Sequence, residues 1–200
     1  MSRRAAWIVL ATACGGCAVA PVAPPSSPPD PDSLQYWSAS GRLALAANGE
    51  GGSGSFTWQQ RSVESTLSIR GPLGAGAMQV TTDGKSLSVT DAEGQHLDTE
   101  QAGALLRRRL GTDLPLADLR YWMLGVPSPA SPSSVADAAY APLRVIEQSG
   151  WRIGYETFTV AGAGAGSVSL PGRFTATQGA VRLKVVVDDW QLLAAPPQAP

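Results

Sequence analysis

The chain has little of what catalysis or metal binding requires. Its 200 residues include one histidine and two cysteines. The histidine, His96, follows Gly94-Gln95 beside a turn signal. With no activated nucleophile near it in the pattern, it reads as an exposed strand residue rather than a general base. Cys14 and Cys17 lie at the N-terminal edge in C-x-x-C spacing, too far out to staple a domain. A redox reading needs a βαβ unit and a metal reading needs a second Cys/His pair. Neither is present, so no metal, no cofactor and no enzymatic activity are expected. The adjacent acids Asp188 and Asp189 should point to opposite faces of a strand and are expected to end it. Ala161 to Gly166 alternates Ala and Gly without the strand-to-helix context or lysine of a phosphate cradle, and reads as a hairpin loop. Charged residues make up 16% of the chain and the net charge is -1. Arg107 to Arg109 form the sole basic run, which excludes the clustered positive surface that nucleic acid demands. No repeat at solenoid or propeller spacing occurs.

What is present starts at the N-terminus. Ser2, Arg3 and Arg4 precede an apolar run, Ala5 to Ala13, that ends in small residues before Cys14. This is the layout of an export signal and is too short to span a bilayer. A cysteine directly after such a run resembles the lipobox of bacterial lipoproteins, in which the thiol receives a diacylglycerol and the new amine is acylated. Cys14 is the expected anchor because the cut should fall at the end of the run; Cys17, behind a glycine pair, is the second candidate. Neither Gly15 nor Ala18 is Asp, which by the same resemblance favours the outer membrane. Residues 18–33 read AVAPVAPPSSPPDPDS, an extended tether of about 3.1 Å per residue that reaches roughly 45 Å. The expected division is a signal over 1–13, the anchor and tether over 14–33, a folded domain over 34–193 and a disordered tail over 194–200.

The domain is dominated by alternation. Leu43 and Leu45, Phe56 and Trp58, Leu67 and Ile69, Met78 and Val80, and Leu87 and Val89 each sit two apart among Ser, Thr, Gln and Ala. This is the pattern of strands with one buried face. Asn48-Gly49, Asp83-Gly84 and Glu93-Gly94 supply turns, so an antiparallel meander follows. Two helices interrupt it. Asp98 caps the first, with Gln101 in a box-like arrangement; Ala102, Leu105, Leu106 and Leu110 form its apolar face and Gly111 stops it. Pro115 opens the second, which runs through Leu116, Leu119, Trp122 and Met123 to Gly125. Strands resume at Leu143 to Gln148, at Trp151 to Tyr155 and at Val181 to Val187. The expected fold is mainly β with α: an incomplete antiparallel β-barrel, or half-barrel, with helices covering an apolar cavity. Between two strands lies Gly71-Pro72-Leu73-Gly74, a tight excursion with a lone leucine at its tip. By spacing alone Leu73 either folds back onto the core or stands exposed.

Several segments together carry a family resemblance: Gly41-Arg42-Leu43-Ala44, Phe56-Thr57-Trp58-Gln59-Gln60, Gly71-Pro72-Leu73-Gly74, Leu114-Pro115-Leu116, Leu119 through Pro127, Gly150-Trp151, Leu170-Pro171 and Leu183-Lys184-Val185 with Trp190. In this order, behind a lipobox, they resemble the LolB family of outer-membrane lipoprotein receptors. The resemblance implies a half-barrel that takes acylated lipoproteins from a soluble periplasmic carrier, LolA, and inserts them into the outer membrane from its periplasmic face. It implies that Leu73, with Gly71, Pro72 and Gly74, is a membrane-inserting loop. Phe56, Trp58, Leu67, Ile69, Met78, Val80, Leu119 and Met123 are the candidate acyl-chain contacts. The expected partners are a LolA-like carrier, lipoprotein cargo and outer-membrane lipid, with the protein acting as a monomer. The segment before Gly41 is short and Pro-rich, which reduces the family's leading helix to about Leu34 to Ser38. The alternatives are a lipid-anchored carrier of free lipids or glycolipids, and a structural envelope lipoprotein.

Overall fold

A computed structural model describes residues 29–71, 76–110, 112, 115–162 and 167–195. The export signal, Cys14, Cys17, most of the tether and the tip Pro72-Leu73-Gly74 fall outside the described residues, as do Gly111, Leu114 and the side chains of Leu106 and Leu110.

Among the described residues, eleven strands form one antiparallel sheet. Six precede the helices: β1 (Tyr36–Ala47), β2 (Glu50–Arg61), β3 (Glu64–Arg70), β4 (Met78–Thr82), β5 (Leu87–Asp91) and β6 (His96–Leu97). Then come α1 (Thr99–Leu110) and α2 (Leu116–Met123), followed by β7 (Ser133–Asp137), β8 (Arg144–Gln148), β9 (Trp151–Ala161), β10 (Val168–Gln178) and β11 (Val181–Leu192). The spatial order is β6-β5-β4-β3-β2-β1-β11-β10-β9-β8-β7. Two meanders therefore join where the first and last strands pair. The helices connect β6 at one edge to β7 at the other, so this connection has to pass across the sheet.

Local chemistry explains most of the turns. Asn48 and Gly49 both have positive φ (53° and 83°) and join Ala47 to its partner Glu50, as a two-residue primed turn requires. Ser149 and Gly150 do the same (52° and 76°) between the paired Gln148 and Trp151. In the β4–β5 turn the Asp83 carboxylate accepts from the backbone N–H of Ser86 and Lys85 at 2.7 and 2.8 Å. Those bonds hold its carboxyl down at about 2.

The cap of α1 is reciprocal. Asp98 Oδ1 accepts from the N–H of Glu100 and of Gln101, both at 3.0 Å, while the Asp98 N–H donates to Gln101 Oε1 at 3.3 Å. Helix α2 ends in a Schellman arrangement: the Gly125 N–H donates to Trp122 O at 3.0 Å and the Val126 N–H to Tyr121 O at 3.1 Å. Gly125 takes φ +77° to allow it, the left-handed conformation glycine adopts without penalty.

Close strand approach sets the sheet's shape at two glycines. A Cβ on Gly41 would lie 2.1 Å from Val186 O, and one on Gly54 would lie 2.3 Å from Arg70 O, so no side chain fits at either place. Gly41 also sits at a register shift: Ser40 pairs Asp189 but Gly41 pairs Val187. This bulge corrects the expectation for the adjacent acids. Asp188 and Asp189 do not end β11, which runs on through the buried Trp190. The extra residue breaks the two-fold alternation, so both carboxylates are exposed, and Asp188 pairs Arg42 at 2.9 Å.

A second difference lies at the N-terminal side. No helix forms over Leu34 to Ser38; a turn over residues 31–33 leads into β1 at Tyr36. Trp37 and Ala39 are both buried, and that spacing of two suits a strand. Pro29 is already buried.

Two apolar clusters fill the concave side. The larger includes Trp37, Phe56, Trp58, Trp122, Ile146, Ile153, Tyr155, Leu170, Phe174 and Trp190. The smaller holds Val80, Leu87, Val89 and Ala102, and so fixes α1 against β5. Thr99 reinforces it, as its Oγ1 accepts from the Leu87 N–H at 2.9 Å and donates to Leu87 O at 3.0 Å.

Candidate functional site

Between the sheet and α2 lies a cavity of about 200 Å³. The alternation of β2, β3 and β4 brings Phe56 and Trp58, Leu67 and Ile69, and Met78 and Val80 to its wall, and α2 adds Leu119 and Met123. All eight sequence candidates therefore meet in one place. Phe56, Trp58, Val80 and Met123 are buried, whereas Leu67, Ile69, Met78 and Leu119 are half-buried although they lie on the inward face.

The wall continues around residues that were not among the sequence candidates for the cavity. Leu43 and Leu45 come from β1, Trp122 from α2, Trp151 from β9, Phe174 and Ala176 from β10, and Val181, Leu183 and Val185 from β11. Every lining residue is aliphatic, aromatic or methionine. Such a wall suits an aliphatic chain and offers no ionisable group for acid–base chemistry. Among the described residues no cluster of three or more His, Cys, Asp or Glu is placed to hold a metal ion. His96 is exposed on β6, where its ring lies 3.3 Å from Thr90 Oγ1.

Polar side chains surround the cavity and hold its frame. Gln60 is 1% exposed; its Oε1 accepts from Trp58 Nε1 at 3.2 Å and from Ser65 Oγ at 2.6 Å, and its Nε2 donates to Ser62 O at 2.8 Å. Gln148 does the same on the other side. Its Oε1 accepts from Trp122 Nε1 at 3.0 Å and the Ser128 N–H at 2.9 Å, while its Nε2 donates to Ser128 O and Ser131 O. Each glutamine thus turns one indole N–H away from the lipid-like wall.

The C-terminal end of α2 is tied down further. Tyr155 Oη donates to Trp122 O at 2.8 Å, and full burial pushes its phenol well above the ordinary range. Arg144 Nη1 donates to Gly125 O at 3.2 Å, while its Nε and Nη2 grip Asp137 at 2.7 and 3.1 Å. That hydrogen bonding holds the Asp137 carboxyl below the usual carboxylate range, against a smaller opposing effect of burial.

The family model for outer membrane lipoprotein LolB matches residues 35–190, which takes in both helices, the whole cavity wall and all of the sheet but the last two residues of β11. The chain belongs to the LolB family. Its relatives are of similar length. It is 33% identical to the outer-membrane lipoprotein LolB of Halorhodospira halophila over 159 residues, covering 78% of this chain and 76% of that protein. It is likewise 33% identical to the LolB of Nitrosococcus oceani over 161 residues, covering 80% and 78%. A solved LolA superfamily protein from Nitrosomonas europaea aligns at a TM-score of 0.49 and 11% identity over 82% of this chain. LolB proteins are lipoproteins of the outer membrane, and no helix among the described residues of this one is long and apolar enough to cross a bilayer.

Proposed function

We propose that this LolB-family protein receives acylated lipoproteins from a LolA-like soluble carrier, shelters their acyl chains in the cavity and releases them into outer-membrane lipid. The observation that carries this reading is the wall itself, apolar on every contributing strand and on α2. Each methylene moved from water into such a wall contributes about 0.8 kcal/mol. Transfer along a series of sites needs no nucleotide when each site binds more tightly than the one before. The cavity of about 200 Å³ is smaller than the roughly 300–1,000 Å³ of ordinary ligand pockets, so cargo has to widen it. Cys14 and the tether keep a single copy of the domain near the membrane.

The test uses the full chain with Cys14→Ala and Cys17→Ala, incubated with a LolA-like carrier loaded with a lipoprotein. The cargo is expected to move to this chain. Cargo that stays on the carrier while this chain is folded would sink the receptor reading and leave a free-lipid carrier in its place.

By resemblance to the LolB family, release is assigned to Leu73 in Gly71-Pro72-Leu73-Gly74. A leucine fully buried in a bilayer gains about 1.5–3 kcal/mol, enough to orient the domain and too little to anchor it. Leu73→Glu is expected to leave folding and uptake unchanged and to slow delivery to liposomes about tenfold or more. Delivery at the normal rate by a folded Leu73→Glu protein would remove the loop from the mechanism.

A further inference from the structure

The cavity does not run the full length of the strands that line it, and the strand register shows where it stops. Leu45 pairs Leu183 and Leu43 pairs Val185 across β1 and β11, and all four line the wall. Towards the start of β1 the next cross-strand row is Phe56, Ile69 and Met78, which also line it. The row after that, Trp58, Leu67 and Val80, is the last to touch the cavity. One row further, Trp37, Gln60, Ser65 and Thr82 stand in register and are all buried, and none of them borders the cavity. Trp58, the largest side chain of the last lining row, therefore forms a floor at this end.

That floor is braced from behind. The Trp58 ring stacks on Trp37 at 5.9 Å and 27°, and its Nε1 donates to Gln60 Oε1 at 3.2 Å. Gln60 is held in its turn, because Ser65 Oγ donates to the same Oε1 at 2.6 Å and Gln60 Nε2 donates to Ser62 O at 2.8 Å. A ring with packed neighbours behind it and its one polar atom tied does not move aside without strain or the loss of that bond. The side walls differ. Leu67, Ile69, Met78 and Leu119 are half-buried beside the void and carry no polar atom that fixes them, so they give way to a guest more easily than the floor does.

We propose that Trp58 is the end-stop of the cavity: it meets the methyl end of a bound acyl chain and sets the longest chain that is buried whole. The proposal rests on the acyl-chain reading above and adds to it a selection by chain length. Each methylene buried ahead of the stop adds to affinity. One beyond it stays in water or presses on a ring that does not yield, and adds nothing.

The experiment uses the full chain carrying Cys14→Ala and Cys17→Ala with a bound fluorescent fatty-acid probe. Saturated fatty acids of about 8 to about 18 carbons are titrated in to displace the probe. Affinity is expected to rise about fourfold with each added carbon up to a break, and to stay level beyond it. In Trp58→Leu the break is expected at a longer chain, so that the first carbon that adds nothing in the parent adds about fourfold there. A folded Trp58→Leu protein that breaks at the parent's length overturns the proposal and leaves the receptor reading standing. So does a parent chain whose affinity climbs by an even factor through the whole series. Failure of the probe and of every acid to bind the folded parent overturns both. Should Trp58→Leu not fold, Trp58→Phe replaces it, with the same outcomes read from a smaller shift.

Discussion

Strand β1 starts in one kind of interior and finishes in another. At its beginning, Trp37 is buried against Trp58 at 5.9 Å and Trp190 at 5.2 Å, and Gln60 closes the same end with its three hydrogen bonds. Further along, Leu43 and Leu45 point to the same face but stay half-buried, because they border the cavity. On β11 the closed end carries the buried Trp190 and Val187, while of the cavity residues Leu183 is half-buried and Val181 and Val185 are buried. Along β1 and β11 large rings thus interlock at one end, and aliphatic side chains border the cavity at the other. On the proposed reading, the room left beside these half-buried side chains is what an acyl chain would fill.

Truncating one residue at each end is the strongest way to break this comparison. Trp37→Ala removes a ring from a packed cluster and should cost about 3–5 kcal/mol, read as the change in free energy of chemical denaturation. Leu45→Ala removes methyl groups that already face a void, so it should cost less than the roughly 2 kcal/mol at which fully buried leucines begin. Similar losses from the two substitutions would mean that the cavity end is packed as tightly as the closed one.

Filling the cavity sharpens the contrast from the other side. Ala176 on β10 lines the wall and is 2% exposed. In a packed core a large residue there would be costly, by about 1–3 kcal/mol. Beside a void, Ala176→Phe should leave the melting temperature within a few degrees of the parent. It should also weaken acyl-chain binding about tenfold by excluding roughly two methylenes at about 0.8 kcal/mol each. A fluorescent fatty-acid probe that binds as well as before would show that chains lie elsewhere.

The sequence made faces legible but not depths. Period-two alternation located β1 to β5, β9 and β11, and the turn dipeptides at 48–49 and 83–84 fixed how neighbours join. Asp98 with Gln101, and Gly125, marked helix ends because capping is local chemistry. The strands that escaped have physical reasons to do so. All five residues of β7 are exposed, so Ser133 to Asp137 carries no alternation. Strand β10 is interrupted at Pro171, Gly172 and Arg173, where its register against β9 shifts. The eight cavity candidates were visible as inward positions. Leu43, Leu45, Val181, Leu183 and Val185 carried the same signal, but alternation alone does not say which inward residues meet a partner and which meet a void.

The smallest expected effect concerns an ion pair that reaches into the packed side. Arg144 is 5% exposed and joins Asp137 on β7 to Gly125 at the end of α2. Because this pairing holds the Asp137 carboxyl below its ordinary value, the folded state takes up that proton less readily than the unfolded chain. The stabilisation is therefore fully present above the unfolded value of about 4 and is lost as pH falls through the lower folded one. Half the Asp137 side chain is in water, at 49% exposure, so solvent screening keeps the effect small. Asp137→Asn should destabilise the fold slightly near neutral pH, by a gap that narrows as pH falls below about 4, measured by denaturant titration across that range. A constant gap across that range would mean that shape, not charge, holds β7 to α2, and would detach the acid response from the packed side altogether.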